Sequence, residues 1–151
     1  MSTFDKLNLK DQKQILVLNS PESFEPELKT LRRVTVRRDL KSASELEFCL
    51  AFVTKQKEVD TLGKAIAKKA QGDAVVWFAY PKGSSKKYKS EINRDAGWQV
   101  LGDAGFEPVR MVAIDEDWSA VRFRRADFIK SLTRGKEHRM SAQGKARAAR
   151  K

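Results

Sequence analysis

The sequence predicts an α/β fold: a mostly parallel sheet flanked by helices, closing in an antiparallel β-hairpin and followed by a basic C-terminal tail. Three observations carry this. Short, continuously apolar runs recur at ILVL (15–18), LEFCLAFV (46–53) and DAVVWFAYP (73–81), as strands covered on both faces require. Between the second and third of them, Val59, Leu62, Ile66 and Ala70 fall at helical spacing with lysines on the other faces. Near the end, FEPVRMVAI (106–114) and WSAVRFRR (118–125) are separated only by Asp115-Glu116-Asp117, a link short enough to demand a hairpin.

Taken in order, the first dozen residues form a polar, loosely helical lead-in. After ILVL, Ser20-Pro21 has the form of an N-cap with proline at the first helical position, predicting a short helix to about Leu31. RRVTVRR (32–38) is β-rich but charged at both ends, which suits a strand at a sheet edge, with Val34 and Val36 on one face. For the long helix, Thr54 is placed to cap its start and Gly72 to end it. After Lys89, Ile92, Ala96, Val100 and Leu101 make the apolar stripe of a second helix, stopped at Gly105. Residues 126–136 suit a last helix. The order strand–helix–strand, strand–helix–strand–helix–strand–strand implies right-handed parallel crossovers and one antiparallel closing strand. A single domain is expected over 1–135, with a basic, mobile tail over 136–151.

At 151 residues the chain is long enough for a core without staples. The lone cysteine, Cys49, in an apolar strand, offers neither a disulfide framework nor metal-ligand spacing and reads as a small buried hydrophobe. No apolar run approaches bilayer length and the N-terminus has no signal-like apolar core, so a cytoplasmic protein without membrane contact is expected. The formal net charge of +11 speaks about partners. Its distribution is uneven: residues 1–31 are net −1, whereas the tail 134–151, with seven cations against Glu137, is net +6. His138, the one histidine, lies in that tail, which disfavours a histidine triad or metal site. Three carboxylates in one hairpin turn, Asp115–Asp117, diverge rather than converge on a cation.

The aromatic strand VVWFAYPK, the helix after it, and AGFEPVRMVAIDEDWSAVRFR together resemble the C-terminal half of Rossmann-like S-adenosylmethionine-dependent methyltransferases, over roughly residues 46–125. The Trp118-Ser119-Ala120-Val121-Arg122 pattern is also similar to a family of small bacterial domains of unknown function with the same sheet plan. The methyltransferase resemblance implies a cofactor at the end of the first strand, on a glycine-rich turn, with an acidic ribose partner at the end of the second. This sequence departs from that pattern. No glycine occurs before Gly63, the first strand runs into Asn19-Ser20-Pro21, and the second ends in Arg37-Arg38 before Asp39. The Asn/Asp-Pro-Pro-aromatic motif of nitrogen-methylating members is absent. The expectation is a degenerate methyltransferase-like fold with no cofactor. The alternative is a methyltransferase-like enzyme whose altered site lies near Asn19, Ser20 and Asp39, and a further alternative is an interaction domain with no small ligand.

The candidate sites are therefore for anions. The loop after the aromatic strand offers Lys82, Ser84, Ser85, Lys86, Lys87 and Lys89 around Gly83, at the carboxyl end of a parallel strand and before an expected helix start. It lacks the spacing of a Walker loop and reads more readily as a hydrated connection whose lysines serve solubility. Arg37 and Arg38 offer guanidinium forks to phosphate, or simply keep an edge strand from pairing. Tyr80 and Tyr88 flank the lysines and suit base stacking, or Tyr80 packs over the strand end with its hydroxyl wet. In the tail, Lys145, Arg147, Arg150 and Lys151 suit salt-dependent contact with nucleic acid or another polyanion. The expected partner is a nucleic acid, a phosphorylated ligand or an acidic protein.

Overall fold

The computed structural model describes residues 3–10, 12–31, 34–42, 46–92 and 97–129. The tail, with Lys145, Arg147, Arg150 and Lys151, and the cations Arg32 and Arg33 lie outside the described residues, as does most of the expected last helix, of which a 3-10 turn at Ala126–Phe128 is seen.

Six strands make one sheet: β1 (Gln14–Leu18), β2 (Thr35–Arg37), β3 (Leu46–Phe52), β4 (Ala70–Pro81), β5 (Phe106–Ala113) and β6 (Trp118–Arg125). Their spatial order is β2-β1-β3-β4-β6-β5. The pairs β1–β2, β1–β3 and β3–β4 are parallel, and β6 runs antiparallel between β4 and β5. This is the expected parallel sheet with one reversed strand. β2 stands at one edge, as its charged ends suggest, and Val34 and Val36 pack together on one core cluster.

Alternation along each buried strand sends side chains to two faces. One face carries Leu16, Cys49, Val76, Phe78, Val121 and Phe123 against the helices α3 (Gln56–Lys69) and α4 (Gln99–Asp103), whose Val59, Ile66 and Leu101 are buried. Burial pushes the Cys49 thiol up to about 12, so it behaves as a packed hydrophobe. The other face carries Ile15, Val17, Phe48, Leu50, Phe52 and Trp77 against the short helices α1 (Thr3–Lys6) and α2 (Glu25–Lys29). Phe4 and Leu7 are buried there, and the Trp77 indole donates to Leu7 O at 2.7 Å. The lead-in is thus a lid on the sheet rather than a loose arm.

Several local expectations are corrected. Ser20 does not cap a helix: Pro21 itself precedes a 3-10 turn at Glu22–Phe24, and α2 follows only at Glu25. The residue before α3 is Lys55, not Thr54. Glu58 reaches back to the Thr54 and Lys55 amides at 2.9 and 3.1 Å, satisfying N-terminal donors that a threonine cap would otherwise meet. Gly72 does not end that helix. The chain passes from Lys69 straight into β4, and Gly72 sits in its first turn of strand, where the register with β3 shifts. The helix expected after the lysine loop is short and late: residues 82–92 contain none, and α4 begins at Gln99. Among the described residues, no helix is long and apolar enough to cross a membrane.

Candidate anion site at the carboxyl edge of the sheet

The carboxyl ends of β1, β2, β3 and β4 share one edge of the sheet. At the end of β4, residues Tyr80–Gly83, Ser85 and Tyr88–Ile92 line a recess of about 500 Å³. Its floor is held by hydrogen bonds. Lys82 N donates to Asp117 O at 2.7 Å, and the Ser85 hydroxyl donates to Asp117 Oδ1 at 2.8 Å while accepting from Tyr88 N. At the far side, Glu91 N donates to Thr54 O, and the Glu91 carboxylate accepts from Gln56 N at the start of α3. Asp115 Oδ1 accepts from the Asp117 and Trp118 amides, so two of the three hairpin acids shape their own turn and its junction with the loop.

These bonds sort the residues expected to bind an anion. Ser85 spends its hydroxyl on Asp117, so it holds the loop rather than offering a donor. Ser84 is exposed and outside the recess. Gly83 does not use the left-handed region, and a Cβ there would meet nothing within 4 Å, so the turn does not depend on glycine. Among the described residues, no helix start adjoins the loop to present free N–H groups. What remains is charge. Lys82 and Lys89 line the recess, Lys86 and Lys87 are exposed beside it, and none of the four ammonium groups has an ion pair among the described residues. Lys87 Nζ stands 5.5 Å from the Tyr88 ring centroid, and Tyr88 packs on Trp118 at 5.0 Å. Tyr80 is buried against Trp98, so it packs over the strand end and is unavailable for stacking.

Arg37 and Arg38 lie three strand positions away, about 14 Å at ordinary strand spacing. Both are engaged: Arg37 Nε donates to Gln14 Oε1 at 3.3 Å, and Arg38 grips Glu25 through two bonds of 2.9 and 2.7 Å. The Arg38 guanidinium and the Ser20 hydroxyl hold the Glu25 carboxyl at about 2, below its ordinary 4.5. A depressed folded-state value means that the pair stabilises above the unfolded value and loses its contribution as pH falls toward 2. The pair is exposed, so that contribution is small. An NMR titration of the Glu25 side-chain carboxyl should show a midpoint near 2, whereas a midpoint near 4.5 would mean that Arg38 is free for other anions.

The end of β1 is where a methyltransferase cofactor would rest. Here Asn19 leaves the strand with φ 56, a left-handed turn made without glycine, and its amide donates to Phe52 O at 3.4 Å. Just beyond, Phe24 is buried on Phe52 at 5.0 Å, and Phe52 meets Trp118 edge-on at 5.1 Å. The space that a glycine turn would leave for close backbone approach holds an asparagine side chain with phenyl rings behind it. These residues do not fit S-adenosylmethionine in the manner that the resemblance implies.

No family profile matches the sequence, and no curated protein matches it. Solved structures do. A SAM-dependent methyltransferase from Aquifex aeolicus superposes with a TM-score of 0.57 at 14% identity, over 80% of this chain and 86% of that one. The Haemonchus contortus phosphoethanolamine N-methyltransferase 2, solved with phosphomonomethylethanolamine and S-adenosylhomocysteine, gives 0.53 at 12% identity over 87% of this chain, which spans only 39% of its length. At such identities the likeness concerns the fold, and the match extends well beyond the C-terminal half that the sequence motifs covered. The chain has the Rossmann-like fold of S-adenosylmethionine-dependent methyltransferases.

Proposed function

We propose that this chain is a non-catalytic binding module that meets an anionic partner through the lysine loop at the carboxyl edge of its sheet. The observation that carries the reading is the recess beyond β4, where Asp117 and Glu91 are committed to loop geometry while, among the described residues, Lys82, Lys86, Lys87 and Lys89 have no ion-pair partner. Ligands of open parallel sheets bind at this edge. The glycine-free turn at Asn19, closed onto Phe52, favours a partner held by charge over a nucleoside cofactor.

The test is binding of a fluorescent single-stranded oligonucleotide at several salt concentrations. If the four lysines neutralise four phosphates, affinity should fall roughly fifty-fold between 50 and 200 mM salt. Replacing Lys82, Lys86, Lys87 and Lys89 together by glutamine should flatten the log–log slope by about three units, and removing 136–151 should flatten it further. A slope untouched by the loop substitutions would sink the proposal. So would saturable binding of S-adenosylhomocysteine that is lost on changing Asn19, Ser20 or Asp39, which would restore the enzymatic reading.

A further inference from the structure

A second cationic feature lies away from the loop, on the open outer part of the sheet. Trp77, Arg122 and Arg110 are successive partners across β4, β6 and β5, so their side chains share one face. Trp77 is covered by the lead-in. Arg122 beside it is half-buried, and its Nε is fully buried with no hydrogen-bond partner among the described residues. Next to it, Arg110 is exposed and makes one long bond, 3.4 Å, to Asn8 Oδ1. Arg124, two residues along β6, is paired with Asp73 at 2.6 and 2.8 Å, and its ladder partner on β5 is the buried Glu107. Burial, together with Arg124 and Arg110, pushes the Arg122 guanidinium below its ordinary value.

This arrangement is unfavourable as it stands. Like charges directly opposite across a ladder destabilise it, and a buried N–H without an acceptor forfeits its hydration. One tetrahedral oxyanion, seated on the exposed part of the two guanidinium groups, would correct the first fault. It carries enough acceptor oxygens for two guanidinium forks, and its charge offsets their repulsion. A carboxylate offers a single charge and one matching edge. Among the described residues, one further buried donor without a partner, Trp118 Nε1, lies on the same face of β6, four residues or about 13 Å from Arg122. The lysine loop packs on that residue through Tyr88, so the two cationic features lie along one face.

We propose that Arg122 and Arg110 form a binding site for one phosphate group on the open face of the β5–β6 hairpin. The site stands independently of the lysine loop. It is tested by following the backbone amide resonances of residues 110 and 122, which every variant keeps, while inorganic phosphate is titrated at constant ionic strength. A saturable shift is expected, weakened at least about tenfold by Arg122→Lys, which keeps the charge but loses the fork, and likewise by Arg110→Gln. Arg110 is exposed, so its replacement tests the site even if changes at Arg122 disturb folding. The glutamine variant of the four loop lysines should leave the shift intact.

Parallel titrations with an oligonucleotide, with and without a 5′-phosphate, separate the sources. A response only to the phosphorylated form indicates a phosphate monoester ligand, and an equal response to both indicates backbone phosphodiesters. No saturable shift with any of these probes, or an unchanged affinity in the Arg110 and Arg122 variants, would overturn the site.

Discussion

Replacing Trp77 by alanine should cost about 4 kcal/mol of folding stability, within the usual range for a large aromatic removed from a core. Trp77 is fully buried in the middle of β4, flanked by Leu50 on β3 and Arg122 on β6. Its loss opens a cavity beneath the lead-in and leaves Leu7 O, which accepts its indole N–H, without that donor. Phe4, Leu7 and Leu9 of the lead-in pack in the same cluster as Trp77, so the two losses fall on one contact region. Trp77→Phe separates them: most of the volume remains and the hydrogen bond goes, for about 1–3 kcal/mol. Urea unfolding gives both values. Domains of this size have roughly 5–15 kcal/mol in total, so the alanine variant should shift the midpoint strongly. A loss below about 1 kcal/mol for alanine would mean that the lead-in does not cover the sheet in solution.

The strands were legible because their information is local. ILVL, LEFCLAF and VVWFAY announce burial by composition, and the hairpin by the shortness of its link. The lead-in was misread for the opposite reason. Phe4 and Leu7 are two apolar residues in a polar stretch, and only Trp77, seventy positions away, shows what they cover. The candidate site shows the same division. The position of the lysine loop at a strand end could be read from the chain, but the commitment of Ser85 to Asp117 and of Arg38 to Glu25 could not, since these pairs are 32 and 13 residues apart.

WSAVRFRR shows arginines alternating onto one face, but not the opposition of Arg122 and Arg110 across the hairpin. Their opposition depends on a register shift between Pro108 and Arg110, and a one-residue difference there would send Arg110 to the other side of the sheet. The turn at Asn19 is a further case. The lack of glycine was plain, whereas the left-handed asparagine that replaces it is a tertiary choice, supported by its bond to Phe52.

Gly97→Ala should be the other severe substitution, at about 3 kcal/mol, from strain and overpacking together. Gly97 has φ 104, a conformation that L side chains rarely adopt, and an added Cβ would stand 2.3 Å from Ile92 Cγ2 and 3.0 Å from both Ile92 Cβ and Gln56 Oε1. Neither neighbour can yield cheaply. Ile92 is 3% exposed within the core, and Gln56 uses its side-chain amide to donate to Gly97 O and to Asp60. The same Gln56 gives its backbone N–H to Glu91, so a displacement at residue 97 is passed to the segment that carries Lys89 and closes the recess. The variant should therefore lose stability and also weaken oligonucleotide binding. Gly83→Ala, in open space within the same recess, should change neither by more than about 0.5 kcal/mol. Equal behaviour of the two glycines in denaturant unfolding would show that the Ile92–Gln56 junction is not packed as described. A destabilised Gly97→Ala that binds with unchanged affinity would show that the recess does not depend on it.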